Sequence, residues 1–244
     1  MRYGYGLKLI FDENLNSELH KYFSLYSALE IKFKQNLINS TDLIAFINSK
    51  NELYNHTISF HVEADLIENY SCRKQYFLRF LKVINNVNLI VTHLPLTITN
   101  NIKDTLIDIC DSLPKNCIIL LENSNLDVDF FDNYLKIKKM LTIAYKKKIK
   151  ICFDLGHYDD LSKALELLKN NKIINKDIIE IHLHSKFPEK HSKFTANSYE
   201  VSIINNIITE CTSLQRIILE VKNIDVLNDG HEQIDLFNIN GRFK

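Results

Sequence analysis

The sequence predicts an α/β fold: a closed (β/α)8 TIM barrel built from residues 1–244 as one domain. Three observations carry this reading. Short β-favouring runs alternate with amphipathic helical patterns along nearly the whole chain. Six of those runs stop at a His, Asp or Glu, and successive stops lie 28 to 38 residues apart, about the length of one strand-plus-helix unit. No Pro-, Gly- or Ser-rich linker divides the chain. An open doubly wound sheet is the competing architecture, and it calls for a Gly-rich phosphate turn at its switch point. The five glycines, Gly4, Gly6, Gly156, Gly230 and Gly241, form no Gly-x-Gly-x-x-Gly, so the barrel is preferred.

The elements follow in order. The first two strands are expected within Tyr3 to Phe11 and Leu29 to Phe33. Thr41 is placed to cap a helix through Leu43 and Ile47. Thr57 to Phe60 is the third strand and ends at His61. Cys72 to Val83 sets Phe77, Leu78, Phe80, Leu81 and then Ile84 at helical spacing. Leu89 to Thr92 ends at His93, and a weaker helical pattern runs from Asp104 to Leu113. Ile118 to Leu121 ends at Glu122. The longest helix is expected over Asp129 to Lys147, with Phe131, Tyr134, Ile137, Met140, Leu141 and Ala144 on one stripe. Ile151 to Phe153 ends at Asp154, and Asp160 can cap a helix from Leu161 to Lys169. Ile178 to Ile181 ends at His182, Tyr199 to Cys211 is helical, and Ile217 to Leu219 ends at Glu220. The polar stretch Asn223 to Lys244 is left with room for a short closing helix.

Composition narrows the function classes. Lys+Arg and Asp+Glu balance at 30 each, so there is no long-range pull toward nucleic acid or a membrane surface. No apolar stretch reaches the ~20 residues of a membrane helix. The N-terminal residues lack an apolar core followed by small residues, so no secretory signal is expected. Cys72, Cys110, Cys117, Cys152 and Cys211 are odd in number and never spaced Cys-x-x-Cys. They read as free thiols in a reducing, cytoplasmic setting.

If strand and helix alternate at this period, all six stops share one rim, the rim where such barrels carry chemistry. Imidazole and carboxylate are ligands for zinc and also suit manganese or iron. Asp154-Leu155-Gly156-His157 adds His157, and Glu189-Lys190-His191 adds Glu189 and His191 in the loop after His182. The candidate ligands are therefore His61, His93, Glu122, Asp154, His157, His182, Glu189, His191 and Glu220. Nine exceed what one ion uses, and two or three ions sharing a bridging carboxylate would use them all. Taken singly, a strand-end His is more often a hydrogen-bonded core residue, and Asp154 is equally a helix cap. Only the shared phase of six strands argues otherwise. His20 and His56 read as surface residues, and His184 as a rim or locally bonded side chain outside the ligand set. Lys146-Lys147-Lys148 reads as a solvated helix end.

This ordered set resembles the xylose isomerase-like TIM barrels and, within them, endonuclease IV, a zinc enzyme that nicks DNA at abasic sites. The likeness spans about residues 3 to 222. His61 and His93 match the family's His after strands three and four. Glu122-Asn123-Ser124 resembles its Glu-Asn-Thr, Asp154-Leu155-Gly156-His157 its Asp-x-x-His, and Glu189-Lys190-His191 its Asp-Arg-His. His182-Leu183 and Glu220 match the ends of strands seven and eight. The resemblance implies three metal sites: His61, His93 and Glu122; Glu122, Asp154, His182 and Glu220, with Glu122 bridging; and His157, Glu189 and His191. It implies zinc, with manganese or magnesium as alternatives. The likeness is incomplete. Ser192-Lys193-Phe194 stands where the family has Gly-Glu-Gly, Leu94-Pro95-Leu96 stands where it has Gly-Ser-His, and the His that ends its first strand is missing near Leu7 to Ile10.

Two enzyme readings follow. The first is an endonuclease IV-like phosphoester hydrolase that uses a metal-bound hydroxide on DNA with abasic sites. The alternative is a sugar or sugar-phosphate isomerase or epimerase, with one ion and Glu122 and Glu220 as the acid–base pair. The full ligand count leans to the hydrolase. The missing DNA-gripping features and zero net charge lean to the alternative. A barrel that binds an ion or small molecule without turnover ranks third.

Overall fold

A computed structural model describes residues 4–10, 27–32, 38–53, 57–62, 65–124, 129–158, 160–185, 191–196, 198–220 and 229–237. Its strands are β1 (Gly4–Ile10), β2 (Ala28–Lys32), β3 (Thr57–His61), β4 (Leu89–His93), β5 (Ile118–Glu122), β6 (Ile149–Asp154), β7 (Ile178–Leu183) and β8 (Arg216–Leu219). Each pairs in parallel with the next, and β1 pairs with β8, so the eight strands close into a barrel. The TIM-barrel fold expected from the sequence is the fold observed.

The helices are α1 (Thr41–Leu53), α2 (Tyr70–Val83), α3 (Asn100–Ser112), α4 (Phe130–Met140), α5 (Ile143–Lys148), α6 (Leu161–Asn170), α7 (Lys172–Asp177), α8 (Tyr199–Glu210) and α9 (Asp229–Asp235). The single long helix expected over Asp129 to Lys147 is instead α4 and α5. The chain turns extended at Leu141 and Thr142. The break lets Lys138 reach the carbonyls of Lys146, at 2.6 Å, and Ile149, at 2.9 Å. Helix α6 starts where expected, with Asp160 accepting from the backbone N–H groups of Ser162 and Lys163. Helix α7 has no counterpart in the sequence reading; Asn171 caps it in the same way. The expected closing helix is α9, next to which Phe237 packs edge-on against Phe194 at 4.9 Å.

Side chains alternate along each strand, which divides the apolar residues into two cores. One set, including Leu29, Ile31, Phe60, Ile90, Leu121, Phe153, Ile181 and Leu219, joins the large core shared with the helices. Leu89, Val91, Leu120, Cys152 and Ile179 form a separate small cluster. A register shift at the start of β7 sets Glu180, not Ile179, opposite Cys152, and buried polar residues share this interior: Glu30, Ser59, Glu180, His182 and Arg216. The barrel interior is thus apolar on the β4–β6 side and charged on the β7–β8–β2 side.

Outside the barrel, buried Asp177 accepts from Tyr134 at 2.8 Å and pairs with Lys138, at 2.8 Å, and Lys150. Burial opposes the charge on Asp177, but Lys138, Lys150 and the Tyr134 hydroxyl outweigh it and hold the carboxyl below its ordinary value. Replacing one partner of such a group costs roughly 3 kcal/mol. Asp177→Asn is therefore expected to lower the melting temperature at neutral pH by about 6–12 °C. Because the folded value lies below the unfolded one, this stabilisation is complete above about pH 4 and is lost as pH falls further. Calorimetry across pH checks both: the gap between wild type and variant should shrink in acid, and a constant gap would contradict the assignment.

Candidate metal centre

The rim forms because each of its strands ends at nearly the same level. In the ladder His93 lies opposite Glu122, and Asp154 opposite His182. Glu220 follows β8 directly, and its backbone N–H donates to the carbonyl of Leu183 at 2.9 Å. Asn123 extends this pairing past the end of the sheet. Its amide donates to the Asp154 carbonyl and accepts from the Asp154 N–H, each at 2.8 Å, so the ends of β5 and β6 stay locked together.

Three carboxylates converge here, and all are nearly or wholly removed from water. Each meets more than one imidazole. Glu122 places Oε1 2.8 Å from His182 Nδ1, and Oε2 2.7 Å from His61 Nε2 and 3.4 Å from His93 Nε2. Asp154 lies 3.1 Å from His157 Nδ1 and 3.3 Å from His184 Nε2. Glu220 lies 3.0 Å from His182 Nδ1 and 3.7 Å from His191 Nδ1. The donor atoms fall into groups that share these bridges: His61, His93 and Glu122; Glu122, Asp154, His182 and Glu220; and His157, His184 and His191. Within each group the atoms lie within 4.8 Å of one another. Ligands of one zinc ion, each at about 2.1 Å, sit roughly 3–4 Å apart, so little movement would bring any of the three sets onto one ion.

Hydrogen bonds outside the site point to the same chemistry. His61 Nδ1 lies 2.9 Å from the Val62 carbonyl, which only accepts, so that nitrogen carries a proton. In the neutral ring Nε2 then turns a lone pair toward the Glu122 carboxylate at 2.7 Å. Two acceptors at that distance call for a proton or a cation between them. His191 Nδ1 likewise donates to the Glu220 carbonyl at 2.9 Å. Asp154 Oδ2 is buried and meets His157 Nδ1 at 3.1 Å without hydrogen-bond geometry, and a cation there would relieve the cost of burying its charge. Burial alone would push His182 below its usual range, but the surrounding groups, Cys152, Glu30, Glu122 and Glu220, hold it well above. Burial keeps the Cys152 thiol itself neutral by pushing it well up, so at neutral pH the carboxylates carry this effect. The residues present fit a divalent cation.

Of the nine expected ligands, His61, His93, Glu122, Asp154, His157, His182, His191 and Glu220 come together at this rim. Glu189 lies outside the described residues, as do His20 and His56. Among the described residues the donor grouped with His157 and His191 is His184, a residue the sequence reading set aside. The missed signal was alternation: Glu180, His182 and His184 are two residues apart on one strand and its continuation, hence on one face. The His184 ring stacks on His191 at 4.1 Å and lies 5.3 Å from His157. Its Nδ1 lies 3.2 Å from the His191 backbone nitrogen and 3.3 Å from the Ser185 carbonyl, and its Nε2 faces Asp154 at 3.3 Å, so the ring braces that carboxylate. His191 holds a positive φ of 63°, strained for a residue with a side chain. Asp154 also caps the 3-10 turn Leu155–His157 by accepting from the His157 N–H at 3.1 Å, so the capping role and the rim position are compatible.

No family model matches the chain, and no curated protein does. Solved structures do. A D-psicose 3-epimerase determined in the presence of D-fructose superposes with a TM-score of 0.66 at 11% identity, covering 98% of this chain and 92% of its own. The IolI protein with a bound zinc atom gives 0.65 at 14% identity, covering 95% and 94%. An uncharacterized protein from Parabacteroides distasonis gives 0.58 at 14%, covering 96% and 97%. The likeness is one of fold, and it agrees with the TIM-barrel architecture expected from the sequence.

Gly156 is where this rim tolerates least. A Cβ there would come within 2.1 Å of the His184 ring, so Gly156→Ala must displace that ring from Asp154. The variant is expected to lose roughly 1–3 kcal/mol of stability and to bind zinc more weakly. Thermal unfolding and zinc titration check this; an unchanged zinc titration would show that His184 does not support the centre.

Proposed function

We propose that the protein is a divalent-metal-dependent isomerase or epimerase acting on a small, uncharged sugar. One observation carries this reading. Glu122 and Glu220, from opposite parts of the barrel wall, bring their carboxylates within 2.8 and 3.0 Å of the same nitrogen of His182. Glu122, Asp154, His182 and Glu220 would hold one ion, zinc first, with manganese or magnesium as alternatives. Such an ion, when bound, polarises a carbonyl and the hydroxyl next to it.

The chain's own residues do the rest. One glutamate removes the proton from the carbon beside the carbonyl. The other returns a proton, to the opposite face of that carbon in an epimerase or to the neighbouring carbon in an isomerase. No oxidant or second substrate is needed. His61 and His93 form the wall over Glu122. A cavity of about 190 Å³ opens beside His93, lined by Asp65, Glu68, Leu94, Pro95, Leu96 and Ser124. Its described lining is acidic and contains no Lys or Arg, a poor match for a phosphate and a good one for hydroxyl groups. The structural neighbours, an epimerase among them and another holding zinc, support the same reading.

A second reading keeps the phosphoester hydrolase. It is favoured by the two further donor groups, His61–His93–Glu122 and His157–His184–His191, which would give a centre of two or three ions. Metal analysis separates the two readings: one tightly held ion fits the isomerase, two or three the hydrolase.

The direct test is to load the protein with zinc, manganese or magnesium and incubate it with ketohexoses and aldoses in D2O. Deuterium is expected to appear at the carbon beside the carbonyl, read by NMR, together with the epimer or isomer. Glu122→Gln and Glu220→Gln should each lower this exchange at least ~100-fold. Cleavage of an abasic-site duplex with no sugar exchange under any metal would reverse the assignment.

A further inference from the structure

Beneath the rim the barrel encloses a second layer of charge. Glu30, Glu180, His182 and Arg216 are all wholly inaccessible to solvent. His182 Nε2 lies 3.0 Å from Glu30 Oε2 and 3.1 Å from Glu180 Oε1. Arg216 places one guanidinium nitrogen 3.0 Å from Glu180 Oε2 and donates from the other to the Leu29 carbonyl at 2.9 Å. The Ser59 hydroxyl points at Glu30 Oε2 from 3.4 Å. TIM-barrel interiors are ordinarily filled by branched apolar side chains, and burying charge there is costly. The proposed chemistry uses His182 but not Glu30, Glu180 or Arg216, so the presence of these three needs another account.

We propose that Glu30 and Glu180 are positioning residues that hold His182 in the one tautomer able to ligate an ion at the rim. The inference rests on the metal-centre reading above. Both carboxylates only accept hydrogen bonds, so Nε2 between them carries the proton. Nδ1, which faces the rim carboxylates Glu122 and Glu220, is the nitrogen whose proton an ion at the rim would replace, while the Nε2–H held between Glu30 and Glu180 stays in place. A carboxylate behind a ligating imidazole fixes its ring and raises its basicity. Here two carboxylates do so from strands on either side of β8. Arg216 adds positive charge to the layer through Glu180 Oε2, the oxygen turned away from His182. With the Nε2 proton of His182 between Glu30 and Glu180, this group supports the ion above it and does not itself hold one.

The test uses the full chain, stripped of metal and titrated with zinc against a chelator, and separately loaded with cobalt for its visible spectrum. Two variants are compared with wild type: Glu30→Gln, and the charge-balanced pair Glu180→Gln with Arg216→Met, which removes both members of the ion pair together. Each should bind zinc about 10- to 100-fold more weakly. Each should also shift the cobalt bands, while the metal-free melting temperature stays close to wild type. If one variant does not fold, the other carries the test. Wild-type zinc affinity and an unchanged cobalt spectrum in the variants would overturn the inference alone. A wild-type protein that takes up neither ion would overturn the metal-centre reading and this inference with it.

Discussion

Glu122, Asp154 and Glu220 bring their charges to one small volume that water barely enters, and the surrounding residues are arranged in answer to their repulsion. Imidazoles stand between the carboxylates, so that no two of them meet without a basic nitrogen nearby. Bringing like charges together in a medium of low polarity is expensive unless a positive charge joins them. Histidine answers this only in part, because a neutral ring offers one proton and one lone pair. The lone pairs left facing the carboxylates, as at His61, are what turn a hydrogen-bonded cluster into a cradle for a cation.

Strand register gives this cluster its accuracy. Parallel strands that end at the same level deliver their last inward side chains to one plane. The Asn123 amide keeps two of those ends in step where the backbone ladder stops. The same alternation carries residues farther back along the strands into the barrel: Glu180 is two positions before His182, Arg216 four before Glu220, and Glu30 joins them from β2. Rim and floor are therefore consequences of one periodicity, and a change in one is felt in the other through His182.

How much of this could be read from the chain follows from where each residue sits. The strand-end His, Asp and Glu residues were legible because they terminate apolar runs at a regular spacing, and a stop is easy to see. Glu180 was not, because it interrupts such a run, Ile-Ile-Glu-Ile-His-Leu, and a charge within apolar surroundings reads as an exception. His184 was missed because a loop was assumed to begin at His182, whereas β7 runs on to Leu183 and keeps its alternation. The helix break at Leu141 and Thr142 was invisible because the apolar stripe runs unbroken through it. Where α4 stops and α5 begins, Lys138 reaches forward to the carbonyls of Lys146 and Ile149, contacts that an apolar stripe does not announce. The partnership of Asp177 with two lysines and a tyrosine likewise joins residues far apart in sequence, beyond what spacing can reveal.

The pairing of β1 with β8 has an effect during synthesis. Gly4–Ile10 leaves the ribosome before the other seven strands, yet its neighbour Arg216–Leu219 emerges some two hundred residues later. Until then the growing sheet has two open edges, with unpaired N–H and C=O groups ready to template onto another nascent chain. The joining of first strand to last is thus a late, all-or-none event, and cells that make this protein quickly would gain from a chaperone that shields those edges until the ring is sealed.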